Sequence, residues 1–203
     1  MQCGRYKNQE LFYRGAACYR LIASAFGDVG VVWVYEEGVP LIVRVVLPQD
    51  GMSTTDMIRK NYPDAEEGLH KDLEETCGSI SAFLGGACVN FSMKFVGIDQ
   101  CHDFQRSVLL ETARIPRRSV TSYGNLAKMI SAPGAARAVG SALAGNPFPI
   151  IIPCHRVVRS DGYVGQFSGG TEVKKTLLRM ESVEIDNRGK INAANLLFHI
   201  TGL

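Results

Sequence analysis

Three apolar stretches in the first quarter of this 203-residue chain constrain its fold more than any other feature. They cover residues 18–26, 29–36 and 40–47, and they are rich in Val, Ile, Leu and aromatic residues, which favour strands. Gly27-Asp28 and Glu37-Gly38 separate them, and such pairs are turn signals. The pattern predicts a three-stranded antiparallel meander, which excludes an all-helical fold.

The remainder of the first half mixes helical and strand patterns. A short helix is predicted over residues 54–62, a longer one over 71–84, and a returning strand over 89–96. No motif in this half indicates chemistry. We therefore expect residues 1–98 to form a small α/β domain with antiparallel strands, within an α+β protein.

Helical patterns dominate after residue 102. Residues 103–115 space four apolar side chains to bury one face: Phe104, Val108, Leu109 and Ala113. Two shorter helices, over 122–130 and 135–144, flank the breaker Ala132-Pro133-Gly134. Two short helices joined by a tight turn containing Gly are typical of a helix-turn-helix. We therefore assign residues 99–203 to a second, mostly helical domain.

The last third of the chain contains its most distinctive segment. An apolar run over 148–152 leads into Pro153-Cys154-His155-Arg156, and a glycine-rich loop over 160–170 precedes a final helix over 173–182. The tail from Ile185 is polar, which predicts a peripheral segment.

The overall composition is that of an ordinary globular protein, with 46% apolar and 21% charged residues. No apolar stretch approaches the roughly 20 residues of a membrane span, and the N-terminus lacks the apolar core of a secretory signal. We therefore expect no membrane association, reduced thiols, and a cytoplasmic location, or a nuclear one in a eukaryotic cell.

Charge is distributed unequally along the chain. Residues 1–101 hold nine Lys and Arg against thirteen Asp and Glu, whereas residues 102–203 hold thirteen against seven. No acidic residue lies between Glu111 and Asp161, a window that contains Arg114, Arg117, Arg118, Lys128, Arg137, Arg156 and Arg159. Such asymmetry favours a polyanionic partner such as nucleic acid. The alternative is a solvated basic face.

The helix predicted over 135–144 has an unusually smooth outward face. On a helical wheel Ala136, Val139 and Leu143 point to the core, and the opposite face carries Gly134, Arg137, Ala138, Ser141 and Ala144. A helix that reads bases in the major groove presents several long polar side chains, which are missing here. Small residues instead permit close approach to a narrow groove, where a lone Arg can wedge. The alternative is a close helix–helix contact.

Cys154 differs from the other five cysteines because of its neighbours. None of the six forms a Cys-x-x-Cys pair, but Cys154 follows the apolar run and lies beside Arg156 and Arg159, which would favour a thiolate. His155 is a candidate base acting through a bridging water, and Glu181 is the acid that would orient it. The alternative is a buried, inert cysteine.

Several motifs in residues 104–181 occur together and in a fixed order. They are Thr121-Ser122-Tyr123-Gly124, Ala135-Ala136-Arg137-Ala138-Val139-Gly140, Gly145-Asn146-Pro147, Pro153-Cys154-His155-Arg156-Val157, and Gly162 to Gly170. The combination resembles the O6-alkylguanine-DNA alkyltransferases. The resemblance implies a ribonuclease-H-like N-terminal domain without that activity, and a C-terminal domain with a helix-turn-helix. It also implies irreversible, single-turnover transfer of an alkyl group from O6 of a flipped-out guanine to a cysteine of the protein, with O4 of thymine as a further candidate donor.

The resemblance assigns a role to individual residues. Cys154 would be the acceptor, His155 the base acting through water, Glu181 its orienting partner, and Asn146 the hinge before the active-site segment. Tyr123 would crowd the 3′ phosphate and bind the flipped base. The backbone N–H of Ser168 would meet O6, and the carbonyls of Cys154 and Val157 would accept from the exocyclic amine.

The DNA partner is likewise implied by the resemblance. Double-stranded DNA would bind through its minor groove without sequence preference, and Arg137 would fill the gap left by the guanine. The other implied DNA contacts are small residues: Ala135, Ala136, Ala138, Gly140 and Ser141. A monomer without a cofactor is expected.

This sequence departs from the family in three ways. Ala144 stands where some members have Arg, and Phe167 stands where others have Tyr. Some members bind zinc in the N-terminal domain, but only Cys3 and Cys18 are available here, so we expect no metal.

Three other functions remain open at this point. They are an alkyltransferase-like module that senses but does not repair, a transcription regulator, and a Cys-His-Glu hydrolase. The presence of Cys154 disfavours the first, and the smooth helix face disfavours the second. The basic window, with Arg137 in it, would have no use in the third.

Overall fold

The computed structural model describes residues 17–49 and 51–195. The predicted meander is confirmed, with strands β1 (Cys18–Ile22), β2 (Val29–Glu36) and β3 (Val39–Val46) paired antiparallel in sequence order. A two-residue strand, β4 (Glu66–Glu67), adds to the other edge of β1 in parallel, so the sheet order is β3-β2-β1-β4.

The two faces of the sheet bury different side chains. Val31 and Trp33 point into the largest apolar cluster, whereas Val32 and Val34 point to the opposite side. Helix α1 (Thr54–Asn61) covers that second side with Ile58, which is fully buried. The helix begins where predicted because the Ser53 hydroxyl accepts a hydrogen bond from the backbone N–H of Asp56 at 3.1 Å.

The predicted strand over residues 89–96 is wrong. Among the described residues this segment makes a single bridge, between Val96 and Ile42 of β3, where the Ile42 N–H donates to the Phe95 carbonyl at 2.7 Å. It follows α2 (Glu74–Leu84), which a 3-10 turn over Lys71–Leu73 precedes. The segment packs against the core without a ladder of hydrogen bonds.

Four helices build the second half: α3 (Asp103–Ala113), α4 (Tyr123–Met129), α5 (Ala136–Ala144) and α6 (Thr171–Met180). Each lies within two or three residues of its predicted bounds. Phe104 of α3, expected in the core, is 40% exposed. Thr112 is buried on that helix instead, because its hydroxyl donates to the Val108 carbonyl at 2.7 Å and satisfies its polar group.

A short parallel pair of strands joins the segment before α4 to the segment that carries Cys154. β5 (Thr121–Ser122), just before α4, pairs with β6 (Val157–Val158), just after Cys154. The tail beyond α6 was expected to be peripheral, but its described part, up to residue 195, is not; residues 196–203 lie outside the described residues. Ile185 and Ile191 form an antiparallel bridge, and Ile191 is 4% exposed.

The halves share one apolar core. Its main cluster joins Trp33 and Phe83 of the first half to Leu109, Cys154 and Leu177 of the second. The outer edge of β3, which faces away from β2, also contacts the second half: the Val45 N–H donates to the Pro147 carbonyl at 2.7 Å. A domain boundary at residue 98 therefore stays a prediction. In the part of the chain described here, no helix is long and apolar enough to cross a membrane.

Candidate active site

The segment before Cys154 is irregular but tightly held. The Ile152 N–H donates to the Phe148 carbonyl at 2.8 Å, and the Cys154 N–H donates to the Ile152 carbonyl at 2.8 Å. Ile150 has a φ of 76°, a left-handed conformation unusual for a β-branched residue. The run from Phe148 to Cys154 is buried throughout. The thiol is therefore carried by a rigid core segment, as the apolar run predicted.

Asn146 fixes this segment from the end of α5. Its Nδ2 donates to the Ile152 carbonyl at 3.1 Å and to Cys154 Sγ at 3.0 Å, and its Oδ1 accepts from the Phe148 N–H at 2.9 Å. The side chain therefore closes the turn and supplies a donor to the sulfur. A hydrogen bond of this kind favours the thiolate over the thiol.

The Cys154 thiol is neutral at rest, because its burial raises the pKa above the ordinary value. The hydrogen bond from Asn146 and the charge of Lys174 oppose that shift. The expectation that Arg156 and Arg159 favour the thiolate is wrong. Arg156 binds Glu181, and Arg159 pairs with Asp161 at 2.6 Å, so neither charge is directed at the sulfur.

Glu181 organises a buried charge cluster behind the thiol. His155 Nε2 lies 3.1 Å from Glu181 Oε1, and Arg156 contacts both carboxylate oxygens, at 2.8 Å from Nε and 2.6 Å from Nη2. Burial would raise the pKa of Glu181, but the hydrogen bonds and charges of His155 and Arg156 outweigh it and lower the pKa to about 2. The carboxylate is therefore ionised at neutral pH.

The charge on Glu181 determines which nitrogen of His155 is basic. A carboxylate can only accept a hydrogen bond, so Nε2 carries the proton and Nδ1 holds the free lone pair. Nδ1 is buried and has no hydrogen-bond partner among the described residues. Burial lowers the pKa of His155 despite the opposing effect of Glu181. The imidazole is therefore neutral near pH 7 and able to accept a proton.

The first half of the chain contributes to this site, although its sequence gave no sign of chemistry. Phe83 of α2 packs on His155, with the ring centroids 6.1 Å apart and the planes inclined by 46°. Phe83 is itself buried in the shared core. It thereby helps to exclude solvent from the imidazole.

Lys174 is a site residue that sequence reasoning missed. It lies on α6, is 1% exposed, and donates from Nζ to the carbonyls of Val157 at 2.7 Å and Gln166 at 3.3 Å. Burial lowers its pKa to about 8, against the raising effect of Cys154. The Lys174-Lys175 pair in an amphipathic helix gave no signal that one of the two is buried.

Tyr123 lies at the first position of α4 and closes the site from another side. It is half-buried, and Lys174 Nζ lies 5.9 Å from its ring centroid. Burial and the proximity of Cys154 raise its pKa. The phenol therefore stays protonated at neutral pH and can donate a hydrogen bond.

The glycine-rich loop lies next to these residues. Ser168 is exposed, and its carbonyl accepts from Gln49 Nε2 of the first half at 3.5 Å. A cavity of about 720 Å³ opens between Tyr123 and the loop residues Gly165 and Gln166. Val157, which follows the thiol segment, is fully buried, and its carbonyl accepts from Lys174.

Helix α5 presents the predicted smooth face. Arg137, Ala138 and Ser141 are exposed, whereas Ala135, Ala136 and Gly140 are half-buried. A Cβ atom at Gly140 would lie 3.9 Å from the Tyr123 ring, so this helix packs beside the site. Arg137 forms no ion pair with any residue that the structure describes.

No metal site is found among residues 17–49 and 51–195, since no three His, Cys, Asp or Glu side chains cluster suitably there. Of the two cysteines considered as zinc ligands, Cys18 is half-buried with a free thiol, and Cys3 lies outside the described residues.

Comparison with known proteins defines the class first. Residues 103–183 match the family model of the DNA-binding domain of 6-O-methylguanine DNA methyltransferases. The fold agrees: a crystal structure of the O6-methylguanine methyltransferase of Mycobacterium tuberculosis has a TM-score of 0.65 and 28% identity, covering 81% of this chain and 92% of that one. A crystal structure of the same protein in complex with DNA has a TM-score of 0.61 and 26% identity, with the same coverage.

The sequence relatives narrow the class further. The methylated-DNA–protein-cysteine methyltransferase of Methanothermobacter thermautotrophicus is 35% identical over 161 residues, which cover 79% of this chain and 83% of that protein. The chain therefore belongs to the methylated-DNA–protein-cysteine methyltransferase family and is an enzyme of that family, which confirms the resemblance that the motifs showed.

Proposed function

We propose that this protein repairs DNA by transferring an alkyl group from O6 of guanine to Sγ of Cys154. The observation that carries the proposal is the buried arrangement of a donor, a thiol, a base and a carboxylate. Asn146 donates to Sγ at 3.0 Å, and His155 is held by Glu181 at 3.1 Å. Family membership supplies the reaction type, and this arrangement supplies the nucleophile and the base.

The neutral thiol must lose its proton before it attacks. We infer that a bridging water passes this proton from Cys154 to Nδ1 of His155, the ring nitrogen with a free lone pair. The sulfur then attacks the alkyl carbon, the bond between that carbon and O6 breaks, and a thioether forms. The guanine leaves with the electron pair and takes up one proton, which balances the proton that His155 accepted from the thiol. Because a thioether is stable, each molecule acts once.

We infer that Tyr123 and Lys174 support the departing guanine. Tyr123 keeps its phenolic proton at neutral pH and donates it in a hydrogen bond to the base. The Val157 carbonyl accepts from Lys174 and retains a second lone pair for the exocyclic amine of guanine. The Cys154 carbonyl accepts from the same amine, and the Ser168 N–H approaches O6. The same pocket takes O4-alkylthymine as a second substrate.

The DNA partner follows from the exposed face of α5. We infer that α4 and α5 act as a helix-turn-helix whose small face enters the minor groove, so that binding does not depend on sequence. A base must leave the stack before its O6 substituent can reach a buried thiol, and Arg137 fills the resulting gap. The relative from M. tuberculosis crystallised with DNA supports this partner.

We also propose the finer parts of the fold on the basis of family membership. The first half is a ribonuclease-H-like domain that has lost that activity, and its Phe83 covers His155. The protein acts as a monomer, in the cytoplasm or in the nucleus of a eukaryote.

The test is to incubate the protein with duplex DNA that carries one O6-methylguanine and to map the product by mass spectrometry. One methyl group is expected on Cys154 and none on the other cysteines, with a yield of one per protein molecule. Cys154→Ala should bind the duplex without accepting the group. Cys101→Ala, which removes another buried thiol, is the matched control and should retain full transfer.

Two outcomes would contradict the proposal. Repeated turnover by one molecule would indicate a hydrolase or another catalyst rather than a stoichiometric acceptor. Tight binding of the lesion without any labelling of the protein would indicate a sensor.

A further inference from the structure

Beyond α6 and up to residue 195, the chain forms a hairpin that lies almost entirely outside the family model, since that match ends at residue 183. Ile185 and Ile191 pair in its stem. At its tip the Asp186 carboxylate accepts from the backbone N–H groups of Arg188 at 2.9 Å and Lys190 at 2.8 Å, and Gly189 adopts a φ of 82°. The hairpin, residues 183–195, is therefore an ordered element.

One side of the hairpin holds the glycine-rich loop. The Val164 N–H donates to the Gly189 carbonyl at 3.1 Å, and the Ile191 N–H donates to the Gly162 carbonyl at 2.9 Å. Below these bonds lies a small apolar cluster made by Val120, Val158, Val164, Leu178, Val183 and Ile191. This loop leads within four residues to Ser168, the proposed contact of guanine O6.

The other end of the hairpin holds the segment that carries Tyr123. The Val120 N–H donates to the Asn195 carbonyl at 2.8 Å, and Asn195 Nδ2 donates to the Arg118 carbonyl at 2.9 Å. Val120 is followed by β5 and then by Tyr123. The hairpin therefore connects two of the segments that carry proposed guanine contacts, those of Tyr123 and Ser168.

The tip of the hairpin also reaches the cavity beside Tyr123. Arg188 and Gly189 line this cavity together with Gly165 and Gln166 of the loop. Gly162, Gly165 and Gly170 all have positive φ, so the loop alone would have large conformational freedom. Backbone bonds to the hairpin restrict that freedom before any substrate binds.

We propose that the hairpin is a positioning element that holds the two walls of the guanine site in register and thereby sets the affinity for the alkylated base. It does not touch the reacting atoms, so it acts on substrate binding and not on the chemical step. This inference rests on the proposed function, because it concerns the same site. Its physical basis is that ordering a loop in advance removes an entropic cost from binding.

The test loosens the tip without disturbing the core. Asp186→Ala removes the acceptor of two N–H groups at an exposed position, whereas Asp186→Asn keeps an acceptor oxygen. Asp64→Ala, an exposed carboxylate in the first half, is the matched control. The probe is free O6-benzylguanine, and the rate of benzyl transfer is measured against its concentration.

For Asp186→Ala we expect the concentration at half-maximal rate to rise about 3- to 10-fold, with the saturating rate within about twofold of the parent. Asp186→Asn should restore much of the affinity, and Asp64→Ala should match the parent. Hydrogen exchange at the Val164 amide should accelerate in Asp186→Ala. Alkylation of Cys154 by iodoacetamide should not change, since that small reagent needs no guanine site.

The contrary results are distinct. An unchanged half-saturation concentration in Asp186→Ala would overturn the inference, as would a lower saturating rate with unchanged half-saturation. Parent protein that takes no benzyl group and no alkyl group from DNA would refute the proposed function itself, and this inference with it. Asn195→Ala, which breaks the contact at the other end, should reproduce the affinity loss and provides a second variant.

Discussion

At the scale of single residues, the site depends on one carboxylate that serves two partners. Glu181 orients His155 and neutralises Arg156, both of which are buried. A buried guanidinium without its partner is costly, commonly by 3–5 kcal/mol. We therefore expect loss of Glu181 to lower stability as well as to slow the proposed proton transfer to His155. Measuring stability against pH isolates the first effect.

We predict that Glu181 makes the protein sensitive to acid. Its pKa is lowered from 4.5 to about 2 in the folded state, so the unfolded state binds protons more readily between these values. Stability from this group is complete above pH 4.5 and is lost as the pH falls toward 2, by an amount on the order of 3 kcal/mol. Urea unfolding at several pH values measures it. In Glu181→Gln the free energy of unfolding should fall less steeply between pH 4.5 and pH 2. An unchanged pH dependence in that range would contradict the assignment.

A second residue-level prediction concerns Arg137. If it fills the space left by the flipped guanine, Arg137→Ala should slow repair of duplex DNA by roughly ten- to a hundredfold, or on the order of 1.4–3 kcal/mol. Reaction with the free alkylated base should hardly change, since that base needs no flipping. Both rates are measured in single turnover. Arg59→Ala removes an exposed cation from α1 in the first half and serves as the control.

The same experiment distinguishes a structural role for Arg137. Equal losses on duplex and free base, accompanied by a lower melting temperature, would show that the side chain only packs against a neighbour. His155→Ala should instead slow both reactions, because it acts on formation of the thiolate.

At the scale of elements, glycine has different roles in different positions. Gly140 lies inside α5, and a Cβ there would meet the Tyr123 ring at an ordinary 3.9 Å. Gly140→Ala should therefore raise the free energy of unfolding by about 0.5–1 kcal/mol, because Ala favours helix over Gly. Gly97→Ala should lower it by about 1–3 kcal/mol, since its Cβ would lie 3.0 Å from the Ile42 carbonyl oxygen. Thermal unfolding of both variants tests this pair, and the same sign for both would contradict it.

The elements also show how far sequence predicts this fold. The meander was predictable because turn signals bound each apolar stretch. The alternation over residues 89–96 was real, since Val89, Phe91, Met93 and Phe95 pack inward against the core. Period-two alternation gives the buried side of an extended segment, but it does not show whether a neighbouring strand is available to pair. Among the residues that the structure describes, this segment pairs only with Ile42, through a single bridge, and forms no ladder.

The site was partly predictable for a similar reason. Cys154, His155 and Glu181 could be proposed as site residues because their neighbours in sequence carry a recognisable pattern, and the structure brings His155 and Glu181 together. Lys174 could not, because its burial results from contacts with the carbonyls of Val157 and Gln166, which lie in other segments. Long-range packing also explains why residues 185–195, the described part of the tail, form a hairpin.

At the scale of the whole molecule, much of the basic window is used internally. Arg156 and Arg117 bind carboxylate or carbonyl oxygens, and Arg114 and Arg159 pair with acidic neighbours. Within this window, Arg118, Lys128 and Arg137 are the cations that remain exposed and form no ion pair with a described residue. The charge available to DNA is therefore smaller than the sequence suggests.

This count gives a prediction for salt dependence. Three phosphate contacts would give a slope of about −3 in log affinity against log salt, at roughly −0.9 per contact, similar for two unrelated duplexes. Lys128→Gln should make the slope shallower by about one unit, whereas Arg59→Gln, on α1 in the first half, should leave it unchanged. Fluorescence anisotropy with unmodified duplex measures it. A flat dependence, or one strongly preferred sequence, would argue against this mode of binding.

The shared core has a practical consequence through its indole. Trp33 is the chain's single tryptophan, it is 1% exposed, and it lies in the same apolar cluster as Cys154. Its emission is thus an intrinsic optical probe placed in the strand half and sensitive to the packing around the half that carries the thiol. A spectroscopist needs no label to follow whether both halves lose their structure together.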